Sequence, residues 1–277
     1  MEIEVIENKN NKLRFIIRGS NFTFVNAIRR TIISEVPTLA IEDIILVENT
    51  SPVLDEIVAH RLGLVPLITP ADEFTVASEC DNCGGEGCQF CSVPLTLEAE
   101  AGDNETKMVY TKDLESNDDK IKPVSDKIPI AKLGAGQKIT LEAIAMMGRG
   151  KQHAKWSPAV TCSYRYYPLV QQDASKCTNC MECVDACPLN ILQVNKKVVK
   201  LTDPLACLLC DLCTKACSYD SLKMGQVEGD YIFLLETTGA LTPIVAFKKA
   251  TEILKSKAKD FENEYKIALE SFLKRKK

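Results

Sequence analysis

Eight cysteines between Cys177 and Cys217 fall into two copies of one spacing: Cys177-x2-Cys180-x2-Cys183-x3-Cys187-Pro188, then Cys207-x2-Cys210-x2-Cys213-x3-Cys217. Two-residue gaps let three thiolates of one tight loop reach three corners of a cubane, so the chemistry offered is iron–sulfur ligation. In chains with two such runs, the fourth cysteine of each commonly serves the other cluster. On that pattern Cys177, Cys180, Cys183 and Cys217 hold one [4Fe–4S] cluster, and Cys207, Cys210, Cys213 and Cys187 hold a second. Cys-x2-Cys pairs also build tetrahedral zinc sites. Two full repeats, one closing in Cys-Pro, favour the clusters. Ser218 stands where the second run would repeat Pro188.

A second group, Cys80-x2-Cys83-x4-Cys88-x2-Cys91, carries Gly84, Gly85 and Gly87 between its two pairs. Two such knuckles on a glycine-rich loop fit a closed tetrahedral zinc site, whose thiolates would tie down a segment with little core of its own. A further iron–sulfur centre and a metal-free loop are the alternatives. Cys162 lies outside every metal spacing and reads as a small buried apolar side chain.

The totals fit a metal-bearing soluble protein. At 277 residues, two or three structural units are expected, and a hydrophobic fraction of 45% is ordinary for a globular chain. No apolar run is long enough to span a bilayer, and the start has no basic or apolar signal region, so no membrane is expected and the location is read as cytoplasmic. Thirteen cysteines in a reducing compartment point to metal or clusters. A net charge of −4 argues against a direct grip on nucleic acid over a broad surface. His60 and His153, the only two histidines, are thin equipment for a hydrolase.

The elements that would position these groups follow from periodicity. Residues 2–7 and 13–18 read as strands around an asparagine-rich turn, and 22–36 as a helix with Val25, Ile28, Ile32 and Val36 on one face, widened by Phe24 and Ile33. Residues 41–48 form a strand, and Ser51-Pro52 opens a short helix facing Leu54, Ile57, Val58 and Leu62 inward. Residues 93–99, 139–143 and 160–166 alternate as strands, whereas the polar stretch 113–123 reads as a mobile loop. Arg149, Lys151, His153 and Lys155 gather around Gly148 and Gly150; the set is basic enough for phosphate but lacks P-loop spacing. A hairpin around Asn195-Lys196 separates the cysteine runs, and a strand returns over 231–235.

Thr242-Pro243 then opens a long final helix. Its seam is Phe247, Thr251, Leu254, Ala258, Phe261, Tyr265, Ala268 and Phe272, the period of helices that pack along a partner; docking on its own domain is the alternative, and both can hold in part. Lys274 to Lys277 complement the negative end of that helix.

Four stretches carry a family resemblance. They are Asn26-Ala27-Ile28-Arg29-Arg30-Thr31 with Val36-Pro37; His60-Arg61-Leu62-Gly63-Leu64-Val65-Pro66-Leu67; Gly148-Arg149-Gly150 with the following Lys151 to Ala159; and Glu236-Thr237-Thr238-Gly239. Taken with the cysteine-rich insert, they resemble the alpha-like subunits of DNA-directed RNA polymerase, in the archaeal form that carries a two-cluster ferredoxin-like domain. The resemblance implies an α+β fold with a split dimerisation domain of mixed sheet and helices, residues 1–45 and 223–277. An inserted domain (46–169) would carry the zinc-type loop, and a ferredoxin-like iron–sulfur domain (170–222) would follow.

It also implies a non-catalytic assembly and scaffold role, in which the chain pairs with a small subunit L and binds subunits N and P and the second-largest subunit. The polymerase is a nucleotidyltransferase, but this chain has no match to the acidic magnesium motif of the large subunits. The clusters would stabilise their domain or tune assembly to redox state. Trp156 reads as an anchor for a large subunit or as part of this chain's own core. The competing reading is an electron-transfer component of an oxidoreductase. It leaves roughly four-fifths of the chain without a purpose and finds no nicotinamide or flavin fingerprint.

Overall fold

A computed structural model describes residues 1–70 and 72–275. Twelve strands, largely in consecutive runs, and five α-helices make up the described chain, an α+β arrangement. The residues form two compact units. The first comprises Met1–Glu7, Arg14–Asn26 and Ser163–Leu234; the second comprises Asn8–Leu13, Ala27–Cys162 and Leu235–Lys277.

The first unit is built on most of a four-stranded sheet. Its order is β1 (Glu2–Lys9), β2 (Lys12–Arg18), β12 (Leu222–Thr237), β9 (Ala159–Gln172). Asn10, at φ 51°, makes the left-handed turn between β1 and β2, a conformation asparagine tolerates. Phe15 on β2 stacks against Phe233 on β12 with centroids 5.1 Å apart, while Tyr164 and Tyr166 of β9 close on Tyr231. The returning strand is much longer than the expected 231–235. β12 begins at Leu222, a few residues past the last cluster-type cysteine, so the cysteine-rich segment hangs directly from two sheet strands.

In the second unit, the sheet order is β3 (Pro37–Asn49), β8 (Lys138–Arg149), β4 (Ser92–Glu100), β6 (Leu114–Ser116). A separate pair joins β5 (Lys107–Tyr110) and β7 (Pro129–Leu133). β4 and β8 alternate strictly, burying Val93, Leu95, Leu97 and Ala99 against Ile139, Leu141, Ala143 and Ala145. Helix α1 (Phe22–Ser34) has residues in both units and buries Val25, Ile28 and Ile32, as its periodicity predicts, but leaves Phe24 exposed. Helix α2 (Asp55–Gly63) starts three residues later than Pro52, because residues 51–53 are spent on a turn held by Asn49 and Ser51. Only Val58 and Leu62 of its expected face are buried; Leu54 and Ile57 face solvent.

The polar stretch 113–123 is ordered rather than mobile. Leu114–Ser116 pairs with β4, Leu67 bridges Pro123, and Ile121 is fully buried. Two apolar residues in a charged run, Leu114 and Ile121, were enough to anchor it, and composition averaged that signal away. Helix α5 (Pro243–Arg275) is capped by Thr242, whose hydroxyl accepts the Val245 N–H. Pro243, Ala246 and Ala250 are buried, but every described residue from Lys255 onward is exposed. Lys274 and Arg275 close its last turn; Lys276 and Lys277 lie outside the described residues.

Candidate metal centres

All thirteen cysteines are free thiols. The cysteine-rich segment leaves β9 at Gln172 and is stapled at its neck. The Gln172 side chain donates to the Lys197 carbonyl at 2.7 Å and accepts the Val199 N–H at 2.8 Å, and Asp173 exchanges hydrogen bonds with Ser221. The hairpin is β10 (Leu192–Asn195) with β11 (Val198–Leu201), and its turn is Lys196-Lys197, both at positive φ, one residue beyond the expected centre. Each cysteine run then makes a loop followed by a single helical turn, α3 (Glu182–Asp185) and α4 (Leu212–Lys215). Met181 and Asp211, the residues before those turns, adopt the left-handed conformation that lets the preceding thiols curl inward.

The loops produce two separate thiol-lined cavities. One is lined by Cys177, Cys180, Cys183 and Cys217. The other is lined by Cys187, Cys207, Cys210 and Cys213. Each cavity therefore takes three thiols from one run and the fourth from the other. Four unpaired thiols around one such cavity fit a cubane cluster. The surroundings are a small apolar core in which Leu192, Val199 and Leu222 pack with Cys183 and Cys213. Burial pushes the Cys183 and Cys213 thiols above their ordinary pKa. These groups resist ionisation until a cationic centre draws off the proton.

The second cysteine group forms its own centre. The Sγ atoms of Cys80, Cys83, Cys88 and Cys91 all lie within 4.8 Å of one another. Cys80–Cys88, Cys83–Cys91 and Cys88–Cys91 are separated by 3.7, 3.5 and 3.8 Å. Four sulfurs at a zinc–sulfur bond length of about 2.3 Å sit about 3.8 Å apart on a tetrahedron, so the donor set fits a zinc ion. Gly84, Gly85 and Gly87 all adopt positive φ, which bends the loop tightly enough to present the thiols. The Asn82 side chain, then the Phe90 N–H, pull the Cys88 thiol down to about 6. Burial pushes Cys91 up to about 12. The Gly85 N–H lowers the Cys83 thiol as well, so the loop favours thiolate at Cys83 and Cys88 while burial opposes it at Cys91.

The basic loop is internally neutralised. Arg149 forks onto Glu79, Lys151 pairs with Glu35 at 3.3 Å, and Lys155 pairs with Glu42. These partners come from distant sequence, which is why spacing alone leaves a phosphate cradle open. Trp156 is buried over Gly148, where any Cβ would overlap the indole, and donates to the Met146 carbonyl at 3.0 Å. It belongs to this chain's own core. Gly150 likewise has no room for a Cβ beside the Ile33 carbonyl. Cys162 is half-buried, and desolvation pushes its thiol up to about 12, an inert thiol.

Fold and sites together define an α+β protein of the cysteine-ligated metal-binding class. Comparison with known proteins narrows this. Residues 41–160 match the RNA polymerase Rpb3/RpoA insert domain, and residues 176–221 match a 4Fe-4S dicluster domain. The DNA-directed RNA polymerase subunit Rpo3 of Methanosphaera stadtmanae is 40% identical over 95% of this chain and 98% of its own length. That of Methanosarcina acetivorans is 37% identical over 94% and 96%. DNA-directed RNA polymerase II subunit rpb3 of Dictyostelium discoideum is 34% identical over 95% and 94%. The chain belongs to the Rpo3 family of DNA-directed RNA polymerase subunits.

Proposed function

We propose that this chain is the alpha-like assembly scaffold of an archaeal DNA-directed RNA polymerase: it pairs with the small subunit L, contacts subunits N and P and the second-largest subunit, and carries no active site. The observation that carries this is the similarity to Rpo3 subunits over nearly the whole chain, with the insert-domain match over residues 41–160. The split into a dimerisation domain (1–45 and 223–277), an inserted domain (46–169) and a cluster domain (170–222) belongs to the same reading. The exposed final stretch of α5 supports pairing, because a scaffold helix that buries only its first turns has an apolar seam left for another chain.

Cys177, Cys180, Cys183 and Cys217 hold one [4Fe–4S] cluster and Cys207, Cys210, Cys213 and Cys187 the other; Cys80, Cys83, Cys88 and Cys91 hold zinc. The crossed lining of the two cavities and the sulfur spacing support these sets. The metals supply crosslinks between segments that bury little apolar surface by themselves. The clusters also tune assembly to redox state: their loss deforms the domain and weakens contacts with large subunits, not the pairing with L.

Anaerobic purification with subunit L, followed by iron, sulfide and zinc analysis, tests the reading. About eight irons and one zinc per chain are expected. Failure to co-purify with L, or whole-enzyme assembly unchanged after complete cluster removal, would sink the scaffold or the redox reading respectively.

A further inference from the structure

The two cysteine runs are approached by matching turns. In Asp173-Ala174-Ser175-Lys176-Cys177 the Asp173 carboxylate accepts the Ser175 N–H at 3.1 Å. In Asp203-Pro204-Leu205-Ala206-Cys207 the Asp203 carboxylate accepts Leu205 N–H at 2.9 Å and Ala206 N–H at 3.1 Å. The turns correspond residue for residue, and their surroundings do not. Two guanidiniums, Arg14 from β2 and Arg165 from β9, both donate to the carbonyl oxygen of Leu205. Among the described residues, the corresponding Ser175 carbonyl has no arginine. The nearest cation in sequence is Lys176, more than half exposed and paired with Asp173 at 3.8 Å.

Two partly buried cations that converge on one neutral oxygen repel each other, and neither forms an ion pair with a carboxylate among the described residues. Burial first, and Arg14 second, disfavour the charge on Arg165; Cys207 and Asp203 favour it. Of the two anions that favour the charge, Cys207 comes ahead of Asp203, and it lines the second thiol cavity, to which the Leu205 peptide leads.

We propose that Arg14 and Arg165 are counter-cations of the second cluster, holding its reduction potential above that of the first. This rests on the ligand sets proposed above. Four thiolates leave a cubane net negative, and one-electron reduction adds a further negative charge. Fixed cations beside one cluster therefore favour its reduction over the other's. The arginines are positioning and electrostatic residues, since they touch the peptide leading to Cys207 rather than any ligand atom.

The experiment is a mediated titration with dithionite, followed by electron paramagnetic resonance, on the anaerobically purified full chain with its partner. Wild type, Arg14→Gln, Arg165→Gln and Arg165→Lys are compared. Glutamine keeps a donor for the Leu205 carbonyl and removes the charge; lysine keeps the charge and removes the fork. Each glutamine variant should lower one of two midpoints by about tenfold or more in the reduction equilibrium, about 59 mV for one electron, with the other unmoved. The lysine variant should match wild type.

Two unmoved midpoints, midpoints that move together, or a lysine variant that behaves like glutamine would overturn the proposal. If the glutamine variants lose one cluster outright, the iron content of Arg165→Lys decides. Retention supports a charge role, and loss overturns it in favour of a clamp that needs the fork. A wild-type protein with fewer than two clusters would instead defeat the ligand assignment on which the proposal stands.

Discussion

Glu35, just past the end of α1, holds Lys257 of α5 at 2.9 Å. Its other carboxylate oxygen takes Lys151 of the basic loop at 3.3 Å. One acidic residue thus joins the C-terminal helix and the glycine-bearing loop to the turn before β3. Burial alone would raise the Glu35 pKa, but the hydrogen bonds from Lys257 and Lys151 overcome it and leave the group below 4.5. A carboxylate with a depressed folded pKa stabilises above its unfolded value and loses that contribution as pH falls through the folded one.

Glu35→Gln should therefore destabilise the second unit by about 0.5–1 kcal/mol at neutral pH, since both lysines are half exposed and screened. The difference from wild type should shrink as pH drops below 4.5, where the wild-type carboxylate protonates. Trp156, the only tryptophan and part of the same unit, provides the fluorescence signal for urea unfolding at both pH values. An unchanged gap at low pH would show that the lysine pairs carry no stability.

The sequence was most readable where chemistry demands spacing. Both cluster runs and the Cys80–Cys91 group were visible because thiols must reach a common centre from short loops. The strict alternation of Leu95 and Leu97 against Leu141 and Ala143 was readable for the same kind of reason, since a sheet has period two. What failed was long-range. Nothing near Arg14 or Arg165 announces that both reach Leu205, and nothing near Arg149 announces Glu79. β5 and β7 are short, and they were hidden because their burial comes from the fold around them rather than from a long pattern of their own.

The proposed crossed ligand sets are tested by a double variant. Cys187 and Cys207 belong to different runs but line the same cavity. Replacing both by alanine should remove one cluster and leave about four irons per chain. Were each run self-contained, the same pair of changes would damage both clusters, and iron would fall toward zero. Iron and sulfide analysis of anaerobic protein distinguishes the two.

Asn82→Ala tests the zinc-type centre without touching a thiol. The Asn82 side chain is the leading cause of the lowered Cys88 pKa, so its loss makes that thiolate costlier to form. Hydrogen-bond partners of metal ligands typically contribute about 10- to 100-fold in affinity. Zinc should transfer to a competing chelator at correspondingly lower chelator concentration, with the iron content of the Cys177–Cys217 segment unchanged. Equal retention in wild type and variant would remove Asn82 from the site's support.

The far half of α5 separates stability from pairing. Phe261 is 75% exposed and Tyr265 59% exposed, and they lie four residues apart on one face. Neither is buried by this chain, so Phe261→Glu with Tyr265→Glu should shift its own unfolding by no more than about 0.5 kcal/mol per site. Circular dichroism should be unchanged, because glutamate is a good helix former. Pairing with subunit L is a different matter: two carboxylates on an apolar seam would be desolvated without partners, each at a cost of several kcal/mol. Co-elution with L should therefore be lost while the free chain remains folded. If the variant still pairs normally, the seam from Ala258 to Phe272 serves some other contact, and the pairing surface must be sought on α1 and the first turns of α5.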